Sequence, residues 1–172
     1  LPQSTAIEHF NQKVLSHAAL PSSVNQVIDA LSDSTHPMGV LSSALQALGG
    51  SNPALCTNSR PADLESFEET ASLIIAAIPS IAAKTFRSSK GEHAPASKDN
   101  FSYCENFLNM MFGNENAEQI DPAVSKALDL IFLLHADHEQ NCSTSTCRMI
   151  ASGGANAFAS LSGAVSALWG PL

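Results

Sequence analysis

The residue types best suited to chemistry sit in one run, His135-Ala136-Asp137-His138-Glu139-Gln140-Asn141-Cys142-Ser143-Thr144-Ser145-Thr146. It places two imidazoles, two carboxylates and a string of small hydroxyls at the polar end of the apolar stretch Ile131-Phe132-Leu133-Leu134. If the helix of that stretch continues through the run, His135 shares a face with His138 and with Glu139, whereas Asp137 points elsewhere. Three chemistries suit such a face. A metal site is one, but the order His-x-x-His-Glu departs from the His-Glu-x-x-His of zinc peptidases and no third ligand stands at a matching position, so no metal is expected. A structural pair is another, with His138 capping the helix or pairing with a carboxylate. The third is an anion or carbonyl site in which an imidazole donates a hydrogen bond to a polar substrate.

The residues that follow add to the third. Ser143-Thr144-Ser145-Thr146 can cap a short helix whose exposed N–H groups and dipole favour an anion, and Asn141 stands just before them. Arg148 is one of three arginines; if buried, it demands a carboxylate from Asp137, Glu139 or a substrate. Ser152-Gly153-Gly154-Ala155-Asn156 is a break at which backbone can approach closely, alone a weak phosphate signal. The chain shows no Ser-His-Asp order, no P-loop and no dinucleotide fingerprint.

Composition limits what surrounds this corner. A chain of 172 residues buries roughly two thirds of its unfolded surface. With 44% hydrophobic and 14% charged residues it carries less surface charge than an ordinary domain, which implies surface that meets a partner subunit or a second domain. The net charge of -8 and the lack of a Lys/Arg cluster argue against nucleic acid, although a cleft of suitable local field still suits a small anion. Cys56, Cys104, Cys142 and Cys147 lack CxxC spacing and disulfide density, so free thiols in a reducing interior are expected: cytoplasm, mitochondrial matrix or peroxisome. The longest apolar stretch, 72–83, contains serines and Pro79 and falls short of a membrane span, and the opening Leu-Pro-Gln carries no targeting pattern.

The elements that must position the run read as helix after helix. Ile7, Phe10, Val14 and Leu15 recur at helical spacing, Pro21-Ser22-Ser23 breaks the pattern, and Val24, Val27, Ile28 and Leu31 resume it. Asp33-Ser34-Thr35 is read as a cap, Pro37 fits the first turn, and the apolar segment 38–48 should be buried on most sides before Gly49-Gly50 stops it. Residues 49–61 form a loop. Residues 62–86 form a long helix, acidic at its start and basic at its end, which Pro79 should kink or split. Residues 88–98, with Lys90, His93 and Lys98, form either a solvated loop or a ligand contact. The segment 101–112 is rich in aromatics and methionines that pack against other helices or wall a pocket. Asp121-Pro122 caps the helix leading to His135, and the small-residue stripe 157–169 reads as the most deeply packed helix. No stretch alternates with period two, so the fold class is all-α.

The segments His135 to Arg148, Ser152 to Asn156 and Leu168-Trp169-Gly170-Pro171-Leu172 together resemble the central region of citrate synthases. Thr35-His36-Pro37-Met38 and the run from Asn100 to Phe112 resemble two further segments of that family, so the likeness spans residues 1–172. The resemblance implies part of the multi-helical large domain of a two-domain homodimer that condenses oxaloacetate with acetyl-CoA, as co-substrate and without a bound cofactor, to give citrate and CoA. The first histidine of the family's His-Ala-Asp-His-Glu motif binds oxaloacetate, and that position is His135; His138, Asn141 and Arg148 become supporting candidates. The family's proton-transfer histidine follows Gly-Pro-Leu, and its enolising aspartate and substrate-clamping arginines come later, so none of residues 1–172 is expected to be catalytic. The small domain and the catalytic part are then absent, the chain is expected to be a fragment rather than a natural truncation, and alone it should be inactive. A synthase of 2-methylcitrate or a longer alkylcitrate, and a non-catalytic helical interaction module, are the alternatives.

Overall fold

The apolar repeats of the first fifty residues become α1 (Ser4–Ser16), α2 (Ser22–Leu31) and α3 (Pro37–Gly50) in a computed structural model that describes every residue except 1, 32–34, 58, 117, 138 and 171–172. The expected Asp33-Ser34 cap lies outside the described residues; α3 is capped by His36, whose Nδ1 accepts from the Met38 N–H at 3.2 Å, with Pro37 in the first turn. Gly49 and Gly50 do not stop the helix but form its last turn. A Cβ on Gly49 would stand 2.9 Å from Cβ of Phe158, so this glycine admits a neighbouring helix rather than ending its own.

After a 3-10 turn at Pro53–Leu55 come α4 (Arg60–Glu65) and α5 (Phe67–Ser88). The long helix expected over 62–86 is indeed divided, but at Ser66, and α5 runs unbroken through Pro79. Ser66 turns its hydroxyl back onto the Ala62 carbonyl at 3.1 Å, competing with the helical ladder. Pro79 lacks the N–H that would bond the Ile75 carbonyl, and the phenol of Tyr103 donates to that oxygen instead, at 3.0 Å. At 22 residues α5 is long and apolar enough to cross a membrane, contrary to the sequence expectation, but 56% of its most apolar window is buried within the fold.

The remaining helices are α6 (Tyr103–Phe112), α7 (Pro122–Leu134), α8 (Cys142–Ser152) and α9 (Ala157–Ser166), closed by a 3-10 turn at Ala167–Trp169; the described residues contain no strand. The core gathers Val24 and Ile28 of α2, Val40, Leu45 and Leu48 of α3, Ile74 and Ile81 of α5, and Phe158 of α9. Full burial of each large side chain contributes about 1.5–3 kcal/mol. α9 is packed on two sides, against α3 and α8, and none of residues 157–165 is exposed, in line with the deep packing expected of the small-residue stripe, while its end at 166 and 168–169 is exposed. Its small residues allow close approach. Ser42 of α3 bonds the carbonyl of Ser162 at 3.0 Å and shares hydroxyl contacts of 2.8 Å with Ser162 and Ser166. At the chain start Lys13 reaches Glu69 at 2.9 Å and His17 reaches it at 2.7 Å, tying α1 to the first turn of α5.

The helix leading to His135 is not core. It packs chiefly on α6, and Leu130, Ile131, Leu133 and Leu134 are 48%, 49%, 70% and 74% exposed. No described residue of α8 is buried, and Met149 is 74% exposed. The two helices that flank the polar run thus present apolar surface outward.

Candidate functional site

The run is a junction between two helix ends. Asp121 starts α7 by accepting the Ala123 N–H at 2.8 Å, with Pro122 in the first turn as the sequence predicts. The helix stops at Leu134 and His135 is its C-cap. Glu139 has φ 62°, in the left-handed region, so the chain turns away and the helical face that would join His135 to Glu139 does not form. His138 lies outside the described residues. Asp137 Oδ1 accepts the Glu139 N–H at 3.3 Å within this turn.

His135 is exposed, and its ring is oriented by its own helix. Nδ1 stands 2.8 Å from the Ile131 carbonyl oxygen, which also accepts the His135 backbone N–H at 3.1 Å. A carbonyl only accepts, so Nδ1 carries the proton in this contact. Nε2 is then an acceptor in the neutral ring and a donor in the imidazolium. A ring fixed in this way can meet the carbonyl or carboxylate oxygen of a substrate as a charge-assisted donor.

Capping at the far end falls to Asn141 rather than to Ser143–Thr146. Asn141 is extended (φ -102°, ψ -175°), and its Oδ1 accepts from the Thr144 N–H at 2.9 Å and from the Ser143 hydroxyl at 2.7 Å. The small hydroxyls lie inside α8, where Thr146 bonds back to the Cys142 carbonyl at 2.8 Å. Arg148 is exposed on α8, so the condition that would require a carboxylate partner does not arise. Gly154, at φ 85°, makes the turn to Asn156, whose Oδ1 caps α9 through the Ala159 N–H at 3.0 Å. Among the described residues no group of three His, Cys, Asp or Glu side chains is placed to hold a metal.

The loop over 88–98 borders a cleft of about 540 Å³ lined by Asn25, Asp29, Lys84, Glu92 and His93. Its cations are held by the chain itself. Lys84 bonds Asn25 Oδ1 at 2.9 Å and Asp29 at 3.0 Å. Arg87 spans Glu92 at 2.6 Å and the carbonyls of Met110 and Gly113 at 3.1 and 2.6 Å. Lys90 lies 4.1 Å from the centre of the Phe86 ring, and Lys98 donates to the Glu115 carbonyl at 3.1 Å. These contacts favour the structural account of the loop. In the sequence Tyr103 is only one of the aromatics of 101–112; Pro79 signals that the carbonyl four residues before it is released, but not that Tyr103 meets it.

Residues 1–172 match the family described as "Citrate synthase, C-terminal domain". Citrate synthase 1 of Mycobacterium tuberculosis is 38% identical over 173 residues, an alignment covering 100% of this chain and 39% of that protein. The glyoxysomal citrate synthase of Cucurbita maxima is 38% identical over 178 residues, covering 100% of this chain and 34% of the relative. The crystal structure of citrate synthase from Pyrobaculum aerophilum superposes with a TM-score of 0.86 at 29% identity, over 99% of this chain and 43% of that one. That from Thermotoga maritima gives 0.78 at 27%, over 99% and 42%. The chain therefore spans well under half the length of the proteins it matches.

Proposed function

Because the chain belongs to the citrate synthase family, we propose that a whole protein carrying it condenses oxaloacetate with acetyl-CoA and water to give citrate and CoA. The 172 residues are the helical part of the large domain that presents His135 to oxaloacetate. The observation that carries this is the exposed imidazole at the end of α7, oriented through Nδ1 by the Ile131 carbonyl at 2.8 Å, at the first position of the His-Ala-Asp-His-Glu run. Donation from Nε2 polarises the ketone of oxaloacetate and stabilises the alkoxide that develops as carbon attacks it. The resemblance assigns the carboxylate that abstracts the methyl proton of acetyl-CoA, and the proton-transfer histidine, to family segments that residues 1–172 do not match, so the activity is proposed of a whole protein.

Homodimerisation belongs to the same proposal. The outward apolar residues of α7 and α8 suit a second copy, and the low charge content of the chain is consistent with such a surface. Neither nucleic acid nor a membrane is needed for the reaction.

Calorimetric titration of oxaloacetate into the whole protein tests the role of His135. Loss of a hydrogen bond to a charged ligand is worth about 1.5–3 kcal/mol, so His135→Ala should weaken binding by about 10- to 100-fold. Unchanged affinity would remove His135 from the site and favour a non-catalytic helical module.

A further inference from the structure

We propose that Tyr103 is a positioning residue for the oxaloacetate-binding end of α7, by sealing the gap that Pro79 leaves in α5 and holding Phe132 in place. The proposal rests on the reading of His135 given above. Pro79 has no N–H for the Ile75 carbonyl, yet α5 continues through this point, and the oxygen is met by the Tyr103 hydroxyl at 3.0 Å. The backbone of Tyr103 is fixed as well. It is the first residue of α6, whose first turn is closed by a capping box in which Ser102 Oγ accepts the Glu105 N–H at 3.3 Å and Glu105 Oε2 accepts the Ser102 N–H at 2.7 Å.

A ring anchored at both ends is a firm seat for its neighbour. Tyr103 meets Phe132 edge-on with centroids 6.3 Å apart, and Phe107, one turn along α6, meets the same ring at 6.2 Å. Phe132 follows Ile131, whose carbonyl orients the His135 ring. Its neighbours Ile131, Leu133 and Leu134 are exposed and Phe132 itself is 40% exposed, so the two ring contacts with Tyr103 and Phe107 are what ties the side chain of Phe132 to α6 in the last turn before His135. Tyr103 is 36% exposed, and its partial burial still pushes the phenol up to about 12, so the hydroxyl stays protonated, and therefore donating, throughout the neutral range.

The test uses the whole protein and four variants, Tyr103→Phe, Pro79→Ala, Tyr103→Phe with Pro79→Ala, and His135→Ala. Two quantities are measured where all are folded: oxaloacetate Kd and hydrogen exchange of the α7 amides. Tyr103→Phe should raise Kd and speed exchange near Phe132 by about 2- to 10-fold, the worth of one net hydrogen bond. Adding Pro79→Ala gives Ile75 a helical N–H again and should restore global stability without re-anchoring the ring at position 103, so both values should stay raised in the double variant, while Pro79→Ala alone should leave them within about twofold of the parent. A lower global stability does not move Kd for protein that is folded, so a loss of affinity that persists when stability is restored separates positioning from simple destabilisation. Affinity lost in His135→Ala but kept in Tyr103→Phe, or a double variant that recovers the parent's affinity, overturns the positioning role alone. Affinity unchanged in His135→Ala overturns the substrate reading and the positioning role together.

Discussion

The phenol of Tyr103 has its ionisation pushed up to about 12, chiefly because its hydroxyl is buried, with a smaller contribution from Cys104. A tyrosine ionises near 10 in the unfolded chain, so its contribution to stability is complete below about pH 10 and is lost as pH rises toward about 12. Denaturant melts of the parent and Tyr103→Phe should therefore show a stability difference that is constant up to about pH 10 and shrinks above it. A difference that stays constant to pH 12 would mean that the hydroxyl is not sequestered. Residue types and spacing marked the polar run but left His135 and His138 both open, and His135 was singled out by the resemblance to the His-Ala-Asp-His-Glu motif. The tautomer of His135 was not legible, since that depends on the position of the Ile131 carbonyl. Asn141 stood among the candidates, but so did four hydroxyls able to cap. Which side chain caps is decided by where the backbone leaves the extended region, and that happens at Asn141.

Among the helices, α3 and α9 show how a local rule is overridden by packing. In a free helix alanine is favoured over glycine by about 1 kcal/mol. At Gly49 the sign reverses, because the added Cβ would press on Phe158, a side chain only 1% exposed and unable to yield. Gly49→Ala should cost about 1–3 kcal/mol, read as a lower midpoint in urea with an unchanged slope. A stabilised variant would show that α9 can shift away at little cost. The same override explains α5. A proline inside a helical pattern warns of a kink or split, and that inference is sound for an isolated helix. Here a tyrosine from α6 satisfies the released carbonyl, and such long-range help leaves no mark in the residues beside Pro79. Element existence was readable from periodicity. Element ends were not, because Ser66 and Gly50 take their roles from hydrogen bonds and neighbours rather than from type.

For the whole molecule the informative surface is the apolar one. Val124 and Leu130 on α7 are 50% and 48% exposed, and the proposed homodimer would cover them. Val124→Glu with Leu130→Glu should convert a dimer to monomers in sedimentation velocity, since a buried unpaired carboxylate is strongly unfavourable. A dimer that survives both charges would place the interface elsewhere. Composition had already pointed to surface that meets a partner subunit or a second domain, because 44% hydrophobic residues with 14% charged ones give less surface charge than an ordinary domain carries. Which helices carry that surface was decided by the fold. By pattern α7 and α3 are both apolar helices, but α3 lies between α2, α5 and α9 while α7 has α6 on one side. The sequence by itself determined that the chain is helical, roughly where its helices lie, and that His135 stands at the polar end of one of them, because periodicity and residue type are local properties. Only the tertiary structure decided which apolar faces are core and which are surface, how Pro79 is accommodated, and which way the His135 ring is turned, because each depends on atoms far away in the chain.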